Sequence, residues 1–314
     1  MARNTMEAWI PEEYGSEVIQ RVQQVSAVER WASPVPMNSQ TKSVPRSAGV
    51  GVSMVSKGSA YSEDESVNDE VVLRVQKFGK AIRIAEEDID DSLADVISVK
   101  QRDWATSYGK LIDNATLAVT AARGTHGGAF DSVYYLLSQA DAGLGYVANS
   151  NIIKTAGSGA AVTYKNLSDV LSLLETGDYW DDANMVVFAH PYFRTVLRTI
   201  LDDQKRPIFQ ESTNGTAGGG QGPAANLLFG LPLHFTLGAK TSTAPTSNPT
   251  GNPLIVVANR ELLMLGKRSG PESIFIDGRS GLSALTDESI LKMRARRAFA
   301  LGHQKGAAVL EYAG

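Results

Sequence analysis

The feature that most constrains the fold is a helical pattern of apolar residues that runs without proline from Ser92 to Ala122. Apolar side chains recur there at spacings of three and four, and Arg123-Gly124 ends the pattern. A helix of this length would extend about 45 Å, at about 1.5 Å per residue. Helices in globular proteins usually have three or four turns. The pattern therefore predicts a spine along which a sheet must pack.

Five carboxylates precede this helix in the stretch AEEDIDDS, namely Glu86, Glu87, Asp88, Asp90 and Asp91. They could form a metal site, a general acid/base pair, an intersubunit salt bridge or the charged start of a helix. A calcium loop requires a glycine at its bend, and a general acid requires an apolar pocket that raises its pKa. Because helix N-termini favour negative charge, the crowded acids favour the helix start, with Asp91 or Ser92 as the cap.

Residues 46–84 predict a long two-stranded hairpin. The runs VGVSMVS (50–56) and VVLRVQ (71–76) have the composition of strands, and the polar segment between them carries Glu63, Asp64 and Glu65. An isolated two-stranded ribbon is marginal in water, and its unpaired edges can pair with another chain. The segment is either a flexible surface loop or an arm that becomes ordered on a neighbouring subunit.

The remaining segments predict an arm, an α/β lobe and returning strands. Pro11 and the spacing of Val18, Val22, Val25 and Val28 indicate a short helix within residues 1–45. Between residues 125 and 270, helices are predicted in AFDSVYYLLSQA, YKNLSDVLSLLETG and PYFRTVLRTILDD, and strands in NMVVFAH, NLLFGLPLHFT and PLIVVANRELLMLG, the last as a pair or one interrupted strand. Two strands then flank the turn-rich DGRSGLSALTDE, and QKGAAVLEYAG predicts a last short strand.

Composition excludes several classes of chemistry. The 314 residues contain no cysteine, which excludes disulfides, thiolate catalysis and Cys-based zinc sites. The formal net charge of −4 gives no basic excess for nucleic acid or anionic membranes. No apolar run reaches the ~18–20 residues of a membrane span, and no signal peptide is recognisable.

No catalytic constellation is recognisable either. The histidines, His126, His190, His234 and His303, are scattered singly, and no G-x-S-x-G elbow is present. The loop GGGQG lacks the lysine and spacing of a phosphate loop. We therefore predict no catalytic residue, no cofactor and no metal site.

Residues 290–299 predict a strand with one basic face. Alternation places Lys292, Arg294 and Arg296 on that face, and the other face carries Leu291, Met293, Ala295 and Phe299. Phosphate contact is conceivable, but no aromatic residues interleave to stack bases. A solvated or acid-paired face is favoured.

Motifs spread over nearly the whole chain carry a family resemblance. They are WIPEEYGSEVIQRVQQVSAVERWA, PM (36–37), VPR (44–46), IRIAEEDIDDSLADV with Asp113 in the following helix, VVFAHPYFRTVL, LLFGLPL and AFAL (298–301). Their order and spacing resemble the major capsid proteins of tailed bacteriophages. The resemblance implies an α+β chain with the tailed-phage major capsid fold: an N-arm, an extended two-stranded loop, a peripheral domain with a long spine helix, and an axial α/β domain.

The resemblance also implies a division of the chain. It assigns the N-terminal arm to 1–45, the extended loop to 46–84, the spine helix to 85–124, the axial domain to 125–270, peripheral strands and loop to 271–301, and a C-terminal strand that returns to the axial domain to 302–314.

The implied function is structural. Copies would form pentamers and hexamers that close into an icosahedral shell around double-stranded DNA, with the extended loop lying over the adjacent subunit. Expected partners are other copies, a portal, DNA held by non-specific contacts and, where used, a decoration or cementing protein, without a membrane. The expected location is the virion, after assembly in the host cytoplasm.

Two departures from family patterns lead to further expectations. Met1 lies directly before the arm, so any scaffold is expected to be a separate protein. Some members join subunits by a lysine–asparagine isopeptide bond, and Lys57 lies in the extended loop. However, DGRSGLSALTDE contains no asparagine, so we expect no covalent cross-link.

Seven residues are candidates for contacts between subunits: Lys57, Glu63, Asp64, Glu65, Arg279, Lys292 and Arg294. The acids of the loop would pair with basic residues of neighbours. Each exposed pair contributes only ~0–1 kcal/mol, but a shell repeats each contact many times.

Two alternatives remain open at this stage. One is an encapsulin, a shell of the same type of fold that encloses a cargo protein. The other is a monomeric α/β enzyme with an unrecognised catalytic cluster. Particle mass separates them, because a shell exceeds a megadalton.

Overall fold

A computed structural model of the chain describes residues 25–47, 52–61, 68–90, 95–155, 161–200, 227–276 and 288–313. Its helices are α1 Ala27–Trp31, α2 Glu86–Asp90, α3 Val96–Leu117, α4 Val133–Ser138, α5 Tyr164–Glu175 and α6 Tyr192–Thr199. Its strands are β1 Ser33–Pro36, β2 Thr41–Ser47, β3 Asn68–Arg74, β4 Gln76–Ala85, β5 Ile152–Lys154, β6 Met185–Ala189, β7 Leu227–Leu228, β8 Leu231–Phe235, β9 Leu254–Asn259, β10 Leu263–Ile276, β11 Glu288–Leu301 and β12 Ala307–Glu311.

The chain divides into two compact units. The smaller unit includes Gly79–Thr106 and Pro271–Arg294, and the larger unit contains Gln24–Phe78, Ser107–Gly270 and Ala295–Gly314. The mixture of helices and sheets is the predicted α+β class.

The larger unit is built on a mixed sheet with strand order β5-β12-β9-β6-β8-β7. Every residue of β6, β9 and β12 is buried. Leu167, Leu171 and Leu174 of α5 and Phe193 of α6 pack on this sheet in one apolar cluster. The predicted helices α4, α5 and α6 and the buried strand β6 are confirmed, although α6 ends at Thr199 and the predicted Ile200 is extended.

One predicted strand is divided in the structure. The stretch NLLFGLPLHFT forms β7 and β8, which are antiparallel and joined by a tight turn at Phe229-Gly230. Both turn residues have positive φ, 51° and 86°, as the type I′ turn of a two-residue hairpin requires. Apolar composition concealed the turn, since phenylalanine is rare in this conformation.

In the smaller unit, the first half of α3 covers an apolar sheet surface. Ile84 of β4 and Leu291 and Met293 of β11 are buried there, with Val96 and Trp104 packed against them. The predicted alternation of β11 is confirmed, because Leu291 and Met293 are buried whereas Lys292 and Arg294 are half-buried.

The helix α3 is shorter than predicted. It ends at Leu117, so the expectation that it continues to Ala122 is wrong. Val119 instead forms a bridge with Ser242, and the backbone N–H of Thr120 donates to the Ser242 carbonyl, 2.9 Å away. Residues 91–94, at the predicted start, lie outside the described residues.

The hairpin uses a different first strand from the one predicted. Residues 52–56 form no strand, and β2 pairs antiparallel with β3 instead, from Thr41↔Arg74 to Ser47↔Asn68. Pro45 lies within β2 because a two-stranded ribbon has free edges, where a missing N–H leaves no ladder bond unmade. Local composition favoured the valine-rich 50–56 over a strand that contains proline.

The base of this ribbon, β2 and β3, packs on the chain's own core. Leu73 is fully buried and packs with Met37, Met264, Ala298 and Ala300 in one cluster. The ribbon is therefore not isolated at its base, which is part of the core of the larger unit.

The end of the predicted arm helix, which lies within the described residues, differs from the prediction. Val25 is 75% exposed, and Ser26 has extended dihedrals and caps a new short helix, α1. The helix face therefore does not continue from Val25 to Val28. Val18 and Val22 lie outside the described residues.

Candidate assembly surfaces

The loop beyond the ribbon turns back at Lys57-Gly58. The N–H of Ser59 donates to the Ser56 carbonyl at 3.0 Å, and Gly58 has φ +87°, as the third residue of a type II turn requires. Ser56 is nine residues after Ser47, and Ser59 is nine residues before Asn68. The turn therefore lies midway in sequence between Ser47 and Asn68, with Lys57 exposed at its apex.

The loop exposes large apolar side chains. Val52 is 98% exposed, Met54 97% and Tyr61 85%. Such side chains gain roughly 1.5–3 kcal/mol each when fully buried, and nothing in the described chain covers them. The acids predicted as contact residues, Glu63, Asp64 and Glu65, follow directly but lie outside the described residues.

The base of the ribbon is fixed by Arg46. Its Nη2 lies 2.5 Å from Asp69 Oδ2 and 3.5 Å from Asp141 Oδ2, and its Nη1 donates to the Gly302 carbonyl at 3.1 Å. The backbone N–H of Glu70, followed by Arg46, lowers the pKa of Asp69 below its usual value. Arg46 thus ties the base of the loop to the body of the larger unit.

The predicted basic face of β11 is partly neutralised within its own unit. Arg294 Nε lies 2.5 Å from Glu272 Oε1 of β10, and Arg83 of β4 pairs with Glu288 at 3.1 Å. Lys292 forms no ion pair with another described residue. Arg279, the remaining basic candidate, lies outside the described residues.

A buried carboxylate anchors the root of the arm. Asp113, in α3, accepts from Ser26 Oγ at 2.5 Å, from the N–H groups of Ala27 and Val28 at 3.0 and 3.1 Å, and from Thr236 Oγ1 at 2.5 Å. Burial raises the pKa of Asp113, and these four hydrogen bonds oppose the shift. The sequence signal for this site is an aspartate within the apolar stripe of α3.

A second buried network holds the side of α1. Arg297 Nε lies 2.6 Å from Glu29 Oε1, which also accepts from Tyr108 Oη at 2.8 Å. Arg297 also donates to the Ser269 carbonyl. Its side chain is only 4% exposed. The sequence analysis did not identify Arg297. Its position in β11 nevertheless places it on the same buried face as Leu291 and Met293.

The described acids of the stretch AEEDIDDS belong to a short helix. Glu86–Asp90 form the short helix α2 directly after β4, and Asp91 and Ser92 lie outside the described residues. The predicted cap of α3 is replaced by Asp95, whose Oδ1 accepts from the Ser98 N–H at 3.1 Å. Hydrogen bonds from Ser98 lower the pKa of Asp95.

Three of the four histidines occupy structural positions, whereas His126 is exposed. Nδ1 of His190 and of His303 each accepts a backbone N–H at 3.1 Å, from Tyr192 and Lys305 respectively. Burial lowers the pKa of both to about 4. His234 stacks on Trp31 at 4.5 Å, and burial lowers its pKa. Neutral histidines in such sites stabilise turns and ring packing.

The described ranges contain neither a metal-binding cluster nor a membrane-spanning helix. No group of three or more histidine, aspartate or glutamate side chains there could hold a metal ion. No helix there is long and apolar enough to cross a membrane.

Comparison with known proteins gives one family and many similar folds. The model of the phage capsid family matches residues 7–311. A structure from Mycobacterium phage Bobi has a TM-score of 0.73 at 17% identity, over 100% of this chain and 99% of that one. One from Mycobacterium phage Ogopogo has 0.73 at 13%, over 99% and 100%. The capsid of a native GTA particle has 0.68 at 15%, over 100% of both chains. No curated protein matches the chain significantly.

Proposed function

The chain belongs to the phage capsid family as a major capsid protein, and we propose that its copies form pentamers and hexamers that close into an icosahedral shell. The shell would enclose the double-stranded DNA of a tailed phage. The observation that carries this proposal is the loop of residues 52–61, whose apolar side chains are exposed although its base is fixed by buried contacts.

A closed shell explains this combination. In an assembly of identical chains, each copy can supply the surface that covers the loop of the next. A monomer would keep Val52, Met54 and Tyr61 in water, which is unfavourable. We propose that the loop lies over the adjacent subunit.

The family and the fold point to a structural protein, and we propose that the chain catalyses no reaction and needs no cofactor. The buried carboxylate Asp113 and the histidines His190 and His303 are occupied by backbone or hydroxyl donors of the chain itself. Their role is to hold segments in place.

A shell that assembles around DNA needs further partners. We propose a separate scaffolding protein, a portal, non-specific contact with the packaged DNA, and a decoration or cementing protein where the shell needs reinforcement. Assembly would take place in the host cytoplasm, and the protein's final location is the virion shell. We retain the division into arm, extended loop, spine helix, axial domain, peripheral strands and C-terminal strand as part of this proposal.

The loop acids Glu63, Asp64 and Glu65 are proposed to pair with basic residues of a neighbour. Lys292 is the stronger candidate on β11, because Arg294 already pairs with Glu272; Arg279 remains a candidate from the sequence. Reversal of the three acids to lysine should weaken assembly at low salt, where surface charges are least screened. Unchanged assembly would contradict the pairing.

We also propose that the shell has no covalent cross-link, although Lys57 is exposed at the apex of the loop. Boiled mature shells should run as a single monomer band in SDS. A ladder of multimers would contradict this.

Negative-stain electron microscopy tests the proposed function. The full chain is purified alone and after co-expression with neighbouring genes of its source genome. Closed particles, rings of five or six, or tubes are expected. Monomers or dimers that persist with a candidate scaffold would overturn the proposal.

A further inference from the structure

Two open grooves meet beside the base of the ribbon in the larger unit. Their volumes are about 560 and 530 Å³, and both are lined by Gln76 and Arg123. Together we call them the ribbon-base groove. One side is the exposed face of the ribbon, with Ser43, Val72 and Arg74, and the other side is formed by α3 and the loop that follows it. A segment seated in this groove therefore touches both the ribbon and the body of the unit.

The floor of the ribbon-base groove is apolar. Phe78, Leu111 and Ala129 line the first groove, and Val72 and Val75 line the second. Val72 is 36% exposed although it is a large apolar side chain. Burial of this floor beneath apolar side chains of a partner is favourable, because it removes apolar surface from water.

The rim of the groove is basic. Arg74, Lys77 and Arg123 line it, and Glu70 is the acid among the lining residues. Glu70 accepts a hydrogen bond from Ser43 Oγ of its own ribbon. The side chains of the three cations form no ion pair with another described residue. A partner that carries acids would supply the missing counter-charges and gain specificity from them.

The loop that presents Arg123 is held by its own hydrogen bonds. The Arg123 N–H donates to Asp131 Oδ1 at 2.8 Å, and the Gly124 N–H donates to the Gly128 carbonyl at 2.9 Å. Gly124 and Gly127 have φ of +81° and +73°, which glycine adopts without strain. The backbone beneath Arg123 is therefore ordered before a partner arrives, and this lowers the entropic cost of binding.

We propose that the ribbon-base groove is the binding site of a cementing protein. It receives an extended segment of that protein in which glutamate or aspartate alternates with large apolar side chains. The apolar side chains lie on the floor, and the acids face Arg74 and Arg123. This inference rests on the proposed function, and it names the surface and the chemistry for a partner that the proposed function leaves general.

The position of the groove suits a reinforcing partner. The segment DGRSGLSALTDE has no asparagine that could join Lys57, so the proposed shell depends on non-covalent contacts. Arg46 already ties the base of the ribbon to the body of the larger unit. A segment in the groove adds contacts between the same two parts. Packaged DNA would supply phosphates for the rim but no large apolar side chains for the floor, so the floor favours a peptide.

Fluorescence anisotropy tests the proposal with a defined probe. The probe is a short fluorescein-labelled peptide of leucine, tryptophan, serine and glutamate, and it should bind both shells and unassembled subunits of the full chain. Arg74→Glu with Arg123→Glu should weaken its binding to subunits at least about tenfold, because both rim charges are reversed. Lys165→Glu, at an exposed pair with Asp169 in the same unit, is the matched control and should leave the affinity unchanged.

Altered probes separate the roles of the floor and the rim. A peptide with lysine in place of glutamate should not bind, and neither should a peptide with serine in place of leucine and tryptophan. A DNA duplex should bind more weakly than the acidic peptide. A duplex that binds more tightly, and loses affinity in the groove variant, would assign the groove to DNA and overturn the proposal.

The outcomes distinguish this inference from the proposed function. If the unaltered chain forms no shells, the proposed function fails whatever the peptide does. If shells form but the peptide binds only unassembled subunits, the shell itself covers the groove and the cementing site is wrong. Equal affinity of the groove variant and Lys165→Glu for the peptide would also overturn the inference, while the proposed function would stand.

Discussion

The root of the arm and the tip of the extended loop are both irregular segments near the start of the chain, yet they differ in what holds them. The root is held by buried polar groups: Asp113 binds four donors around Ser26, and Glu29 pairs with Arg297. The loop tip has one hydrogen-bonded turn and fully exposed Val52 and Met54.

This difference means that a subunit can be stable by itself and still carry a surface that only another copy can cover. Buried polar networks fix where an extended segment leaves the body, because an unpaired group in such a network is costly. The exposed apolar side chains of the loop tip are left to make their contacts with other copies. Substitutions should therefore affect the unassembled subunit at the root and only the assembly at the tip.

The largest effect is expected from Asp113→Ala. It leaves two hydroxyls and two backbone N–H groups without their acceptor in a fully buried site, and each such group costs about 1–3 kcal/mol. The free energy of unfolding of the subunit, measured in urea, should fall by more than about 3 kcal/mol. Asp169→Ala, which breaks an exposed pair with Lys165, is the control and should cost under about 0.5 kcal/mol. Equal losses in the free energy of unfolding of the two variants would contradict the proposed difference between the buried root and the exposed surface.

A smaller loss is expected from Glu29→Gln. The amide keeps the size of the side chain but leaves the buried guanidinium of Arg297 without its counter-charge, at a cost of roughly 1–3 kcal/mol. The matched control is Glu288→Gln, whose partner Arg83 is 71% exposed, and it should cost at most about 1 kcal/mol. A control as costly as Glu29→Gln would show that burial is not the cause.

A pH effect is expected at the ribbon base. Burial, with Arg46 and Lys305, lowers the pKa of His303 from 6.5 to about 4 in the folded chain, and Asp141 opposes the shift. The unfolded chain therefore binds more protons between these values, and stability should be lost as pH falls from about 6.5 towards 4. His190 behaves alike.

His303→Asn is the variant that isolates this contribution, because its carbonyl can keep the hydrogen bond to Lys305. Urea midpoints measured from pH 7.5 to 4.5 should fall less steeply in the variant than in the unaltered chain. Asp113, whose pKa is raised, acts in the opposite direction but equally in both proteins. Identical slopes would contradict the assignment.

The smallest effect on the subunit is expected from replacing Val52, Met54 and Tyr61 together by serine. Exposed substitutions usually change stability by less than about 0.5 kcal/mol, so the urea midpoint should not move. Shell formation in the electron microscope should nevertheless be lost. A destabilised subunit would show that the tip is part of its own core, and normal shells would remove its role in assembly.

Local patterns predicted much of the fold. The fully apolar NMVVFAH became β6, and the amphipathic YKNLSDVLSLLE became α5, capped by Thr163 and Asn166. The alternation of apolar and basic residues predicted the buried face and the basic face of β11. These features depend on residues within one turn or one strand, so the sequence near them contains the necessary information.

The contacts that anchor the extended segments could not be predicted in this way. Asp113 binds Ser26 and Thr236, which lie 87 and 123 positions away, and Arg297 reaches Glu29 across 268 positions. The strand that pairs with β3 was misplaced for the same reason: pairing depends on a partner and a register, whereas composition favoured residues 50–56 over 41–47. The candidate acids of the loop remain predictions.

The pairing of β2 with β3 limits how the length of the loop can vary among related shells. One residue inserted in β2 alone would turn every later side chain of that strand to the opposite face and break its register with β3. Two residues added to each strand would keep the face and move the tip outward by about 7 Å. The distance that the loop spans between neighbouring subunits can therefore change only in steps. Relatives with longer or shorter loops should differ by paired insertions.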